Sequence, residues 1–163
     1  FVNPANPEAH RKTTGPEIWN DTDGEVDAFV AGVGTGGTVT GVGEYLKSKK
    51  DSVEIIAVEP ATSPVLSQGK AGAHKIQGGG YSMDLPLIDR TLIDGIIQIT
   101  DQEAIETARD LAKYEGTFVG FSSGANVRAA IKLLEGKEKG KNIVLLLNDS
   151  GLKYLTTDLF PEV

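Results

Sequence analysis

The chain has 163 residues, about one domain's worth, and its 16 Lys and Arg against 23 Asp and Glu give a net charge of −7. That excess of acid argues against nucleic acid as a partner, because binding phosphodiesters needs a basic face, and a hydrophobic share of 39% excludes a disordered chain. Having no cysteine, it can form no disulfide or thiolate site, which suits the cytoplasm, and its two histidines leave little for a metal centre.

The sequence opens on Phe1-Val2-Asn3-Pro4 with Met83 as its one methionine, and so reads as a piece of a longer chain. The first 24 positions are predominantly polar. Thr14-Gly15-Pro16-Glu17 carries a capping residue and an early proline ahead of Ile18 and Trp19, which predicts a short helix at best. Val26 to Ala31 is an apolar run of buried-strand character that ends in glycines, after which Val39, Val42 and Leu46 recur at helical spacing. Ser52 to Val58 is a second, β-branched strand stopped by Glu59-Pro60. From Ala61 to Asp89 the sequence is rich in Gly and Pro; a connection this long predicts a functional surface or a mobile segment.

Gly95 to Ile99 is a third strand. Thr100-Asp101-Gln102-Glu103 is a capping box for a one-faced helix that Gly116 closes. Thr117 to Gly120 reads as a short fourth strand, and a second one-faced helix runs from Ser123 to Gly136. Ile143 to Leu147 is a fifth strand and the longest apolar run, far below the ~20 residues a membrane span requires. Strands alternating with helices predict an α/β fold, three-layer αβα with a mostly parallel sheet, whose ligands sit at the carboxyl ends of the strands.

Three strand-end turns carry the candidate chemistry. Gly32-Val33-Gly34-Thr35-Gly36-Gly37-Thr38 lies between a strand and a helix, where glycines allow positive φ and close approach while N–H groups face an anion. It can be a ligand-free turn, a dinucleotide site or a cradle for one phosphate. Gly32, Gly34 and Gly37 satisfy the dinucleotide spacing, with Glu59 where a ribose-binding acid belongs, whereas Thr35 and Thr38 add hydroxyls that favour a single phosphate. In Gly120 to Asn126, Ser122 or Ser123 is either a helix cap or a hydroxyl facing the same crevice. Leu147 to Gly151 offers Asp149, by default an Asx turn. His74 beside Lys75 reads as a solvent-facing loop pair, and neither histidine has an evident link to these turns.

Asn3-Pro4-Ala5-Asn6-Pro7, Thr13 to Trp19, Gly34 to Thr38, Ala57 to Pro60, His74 to Gly78 and Gly120 to Ala125 follow one another in the order of a known family. Together they resemble the cysteine synthases (O-acetylserine sulfhydrylases), fold-type II pyridoxal-phosphate enzymes related to cystathionine β-synthases and threonine dehydratases. The resemblance implies the C-terminal, cofactor-phosphate-binding part of such an enzyme over residues 1–163, its large domain truncated at the N-terminus. It implies pyridoxal 5′-phosphate held at its phosphate by Gly34, Thr35, Gly36, Gly37 and Thr38, with Ser122 on the pyridine nitrogen. Asp149 and Ser150 would lie by the ring edge, and Gln77, Gly78, Gly79 and Gly80 would border the substrate mouth.

The implied reaction replaces the acetate of O-acetylserine with sulfide to give cysteine, a transferase step of cysteine biosynthesis. A cystathionine β-synthase-like or dehydratase-like lyase is the alternative within the family. A nicotinamide-binding Rossmann oxidoreductase and a non-catalytic phosphate-binding module are alternatives outside it. Implied partners are an O-acetylserine-like amino acid, sulfide, a second subunit in a homodimer and the tail of serine acetyltransferase, with no nucleic acid and no membrane. Two segments depart from the family's pattern: Gln77-Gly78-Gly79-Gly80-Tyr81-Ser82 at the mouth, and Asn148-Asp149-Ser150-Gly151-Leu152-Lys153 where the family commonly begins with proline. The family's cofactor-bearing lysine and substrate-carboxylate loop have no counterpart here. No catalytic residue is therefore nominated, and the chain alone is expected to bind the cofactor weakly and to be inactive.

Overall fold

The computed structural model describes residues 1–83 and 85–160. Its centre is a four-stranded, wholly parallel sheet of β1 (Ala28–Gly32), β2 (Glu54–Pro60), β3 (Gly95–Ile99) and β4 (Ile143–Leu145), in the order β3-β2-β1-β4. The β1–β2 register pairs Ala28 with Glu54 and Gly32 with Val58, so β1 ends at Val58 while β2 runs on to Pro60. Side chains alternate between the two faces, and both faces are buried, which is why β1 and the middle of β2, Ile55 to Val58, are apolar. Phe29, Ala31, Ile55 and Ala57 pack with Val39, Val42 and Leu46 of α3 (Gly37–Lys49). Val30, Ile56 and Val58 face the other way, against Ala125, Ala129 and Leu133 of α6 (Phe121–Glu135).

The layering follows from chain direction. From β1 the chain crosses to β2 and β3 on one side, then returns through α5 (Asp101–Tyr114) and α6 to β4 on the other side of β1. Right-handed crossovers that reverse direction put their helices on opposite faces of the sheet. The reversal also opens a crevice between the carboxyl ends of β1 and β4, the switch point where ligands of such sheets sit.

Several expectations need correction. The polar N-terminal segment forms two helices, α1 (Ala5–Lys12) and α2 (Thr14–Asp21). Neither uses a side-chain cap, and the Thr14 hydroxyl meets His10 instead of opening a helix. These short helices are held by packing: α1 lies on α3, where a Cβ on Gly37 or Gly41 would collide with Asn6 or Pro7. Residues 117–120 form no strand. Only Val119 makes an antiparallel bridge, to Ser150, because the sheet position beside β1 is taken by β4. The strand expected over 143–147 stops at Leu145.

The Gly- and Pro-rich connection from 61 onward contains α4 (Val65–Gln68) and is tied down rather than loose. Ser63, fully buried, donates to Gly80 O at 2.9 Å and accepts from Gly72 N, and the Thr62 hydroxyl donates to Ala73 O at 2.7 Å. The Glu59 carboxylate, 3% exposed, accepts from Leu66 N at 2.7 Å and from the Ser67 hydroxyl, so this strand-end acid anchors α4. Among the described residues no helix is long and apolar enough to cross a membrane.

Candidate functional site

The first wall of the crevice is the turn from β1 to α3. Gly36 has φ 89°, the left-handed region that disfavours a side chain, and a Cβ there would lie 2.7 Å from Ile88 Cβ. Gly34 allows close approach instead: a Cβ on it would lie 2.5 Å from Gly78 O, so the mouth turn sits directly on this loop. Helix α3 has no side-chain cap at Gly36; its first N–H, Gly37 N, meets Thr35 Oγ1 at 3.3 Å.

Both threonine hydroxyls are held from behind by α1. Thr35 Oγ1 accepts from Asn6 Nδ2 at 3.0 Å and from Gly37 N at 3.3 Å. Thr38 Oγ1 lies 3.2 Å from His10 Nε2, and His10 Nδ1 lies 2.9 Å from Thr14 Oγ1. Burial holds the His10 imidazole below its ordinary pKa, so it is neutral at pH 7 and one ring nitrogen accepts while the other donates. Asn6 and His10 stand four residues apart on one face of α1. Local reading of the sequence missed both. The one available signal was the matching spacing of Gly37 and Gly41, the small face of α3 that receives α1.

The second wall is the start of α6 and the segment after β4. The cap position of α6 is Gly120, without a side-chain cap, so the capping reading of Ser122 and Ser123 is corrected. Their hydroxyls bind the neighbouring segment: Asn148 N donates to Ser123 Oγ at 2.9 Å and Asn148 Nδ2 to Ser122 Oγ at 3.0 Å. Asn126 is 1% exposed and donates from Nδ2 to Leu146 O at 3.0 Å, while its Oδ1 has no partner among the described residues. Asp149 makes no Asx turn. Its Oδ2 accepts from Tyr154 OH at 2.7 Å and from Lys153 Nζ at 3.4 Å, and its buried Oδ1 has no partner among the described residues. Burial, with Asp149 alongside, pushes the Tyr154 phenol up.

Gly34, Thr35, Gly36, Thr38, Ser122, Asp149, Gln77, Gly78 and Gly79 all line one cavity of about 1020 Å³. Two sequence candidates do not. Gly37 is turned to Asn6 beneath the loop, and the Ser150 hydroxyl accepts from Leu152 N at 3.3 Å, capping the turn of residues 151–154. His74, read from sequence as solvent-facing, also lines the cavity. Its Nδ1 is buried, because the 61–94 connection folds the ring against Pro60 and Gly80. The cavity thus pairs a glycine cradle and two hydroxyls at one side with Ser122, Asn126 and Asp149 at the other. That fits a molecule with an anionic tail and a flat polar ring.

The family model described as pyridoxal-phosphate dependent enzyme matches residues 1–149. The chain belongs to this family. It is 54% identical to cysteine synthase A of Escherichia coli K12, covering all of this chain and 53% of that one, and 51% identical to cysteine synthase B of Campylobacter jejuni, with 98% and 53% covered. Its structure is similar to that of O-acetyl serine sulfhydrylase isoform 3 from Entamoeba histolytica, with TM-score 0.93 and 47% identity over 99% of this chain and 48% of that one. It is likewise similar to O-ureido-L-serine synthase, with TM-score 0.94 and 40% identity over 98% and 51%. The chain spans about half the length of the curated relatives it matches. The family resemblance read from the motifs is borne out, as is the parallel α/β fold, and pyridoxal phosphate is the cofactor of the family.

Proposed function

We propose that this chain forms the cofactor-phosphate- and ring-binding part of a cysteine synthase-like enzyme that replaces the acetate of O-acetylserine with sulfide. One observation carries the reading: the Gly34–Thr38 turn and Ser122, 84 or more residues apart in sequence, line the same cavity. In this reading Gly34, Thr35, Gly36 and Thr38 hold the phosphate through backbone N–H groups and hydroxyl donors, Gly37 shapes the turn, and Ser122 meets the pyridine nitrogen. When bound, pyridoxal phosphate supplies an electron-withdrawing ring that stabilises negative charge developing at a substrate's α-carbon. A neutral hydroxyl at the ring nitrogen moderates that withdrawal, which suits β-replacement.

Gln77, Gly78 and Gly79 border the space left for the amino acid, and Asp149 lies beside the ring with its charge engaged by Lys153 and Tyr154. The nicotinamide alternative loses support because the Glu59 carboxylate is occupied by Leu66 and Ser67. The same proposal extends to a homodimer, a cytoplasmic location and docking of the serine acetyltransferase tail at the mouth. Since the chain spans half of its relatives, it is expected to bind the cofactor weakly and to turn nothing over alone. The test is a fluorescence titration of the chain with pyridoxal phosphate, pyridoxal and NADH. Saturable binding that needs the phosphate is expected; NADH binding without pyridoxal phosphate binding overturns the proposal.

A further inference from the structure

We infer that Asn148 is a positioning residue that keeps the Ser122 hydroxyl a donor toward the cavity, so that a heteroaromatic ring bound there holds its nitrogen unprotonated. The inference rests on the pyridoxal-phosphate reading and deepens it at one atom. A serine hydroxyl has one proton and two acceptor sites. Asn148 Nδ2, 3.0 Å away, occupies an acceptor site, and among the described residues no other side chain or backbone group bonds Ser122 Oγ. Because α6 is capped at Gly120 without side-chain help, the hydroxyl is not spent on the helix. Its proton therefore remains for an acceptor in the cavity that Ser122 lines.

The Asn148 amide is aimed from a pinned backbone even though the residue is exposed. Asn148 N donates to Ser123 Oγ, which is fully buried, and Leu146 O two residues earlier accepts from the buried Asn126. Turned end for end, the amide would present its oxygen, take the Ser122 proton and leave a lone pair facing the cavity. A donor at a pyridine nitrogen favours the unprotonated ring, and an acceptor favours the protonated one. The titratable side chains lining the cavity are Glu59, His74, Tyr81, Asp149, Lys153 and Tyr154, and the Glu59 carboxylate is held by Leu66 N and Ser67. Asp149 Oδ2 is bonded by Lys153 and Tyr154 and its Oδ1 is buried from solvent, which leaves the Ser122 hydroxyl as the group open to the ring nitrogen.

The test uses the whole chain and 4-deoxypyridoxine 5′-phosphate carrying ¹⁵N in its ring, a probe with no aldehyde. The nitrogen's chemical shift is followed against pH. Asn148→Asp, isosteric but unable to donate, is expected to raise the bound ring's protonation midpoint by at least about one unit, a tenfold change in the equilibrium. In a Ser122→Ala background the same substitution is expected to shift it by less than half as much, which separates hydroxyl reversal from the added charge. Asn148→Leu, uncharged and of similar shape, is expected to weaken probe binding several-fold with Ser122 present and not in its absence; this serves if the aspartate disturbs folding. An unchanged midpoint with probe bound, or equal shifts with and without Ser122, overturns the inference alone. Failure of the unsubstituted chain to bind the probe overturns the cofactor reading and the inference with it.

Discussion

Thr35 has one hydroxyl proton and two lone pairs, and both lone pairs are taken, by the Asn6 amide at 3.0 Å and the Gly37 N–H at 3.3 Å. The proton is then directed into the cavity, where an anion is the natural acceptor. Asn6 thus acts on the site without lining it. Removing it frees an acceptor position on Thr35 and lets the hydroxyl turn. Asn6→Ala is expected to cost one net hydrogen bond, about 0.5–1.5 kcal/mol, or roughly two- to tenfold in affinity for a phosphate-bearing ligand. Calorimetric titration with pyridoxal phosphate checks it, and the same substitution in a Thr35→Ala background should change little.

Helix α5 begins with a complete capping box: Thr100 accepts from Glu103 N, and the Glu103 carboxylate accepts from Thr100 N at 2.9 Å. The same carboxylate lies 2.7 Å from Lys132 Nζ on α6, so one side chain both starts α5 and joins it to the helix that carries Ser122. Burial alone would raise the Glu103 pKa, but Lys132 and the Thr100 backbone and hydroxyl outweigh it and bring the group down to about 2 from 4.5. The unfolded chain then binds the extra proton between those values, so stability rises with pH there. The contribution is complete above about pH 4.5 and is lost as pH falls toward about 2. Glu103→Gln is expected to cost about 1 kcal/mol at pH 7, the scale of a lost cap, and to flatten the acid limb of stability. Thermal unfolding followed by circular dichroism from neutral to acid pH reads both effects.

Across the whole molecule the cavity exists only when the sheet is assembled in its β3-β2-β1-β4 order, because its walls come from both sides of the reversal. A ligand of the folded state is therefore linked to global stability. At about a hundred times its dissociation constant it adds about 2.7 kcal/mol. Pyridoxal phosphate is expected to raise the unfolding free energy read by urea titration by that increment, while pyridoxal at equal concentration gives a smaller rise. A midpoint indifferent to the phosphate would remove the turn from any binding role.

What the sequence determined by itself is what short-range physics encodes. Strand alternation, the one-faced helices α5 and α6, the Thr100–Glu103 box and the glycine bend after β1 each depend on residues within a turn or two of one another, so their patterns survive in a linear reading. The motifs that resemble the cysteine synthases implied that the bend and Ser122 share one site, and the structure has both lining the same cavity. Tertiary structure decided the rest. Asn6 reaches Thr35 across 29 positions and His10 reaches Thr38 across 28, contacts that exist only because α1 lies on the glycine face of α3. His74 enters the cavity because a long connection folds over β2, and Asn148 meets Ser122 because β4 pairs beside β1 rather than at the far edge. Hydrogen bonds between distant segments follow from how elements pack, and packing is a property of the assembled core that no local pattern carries.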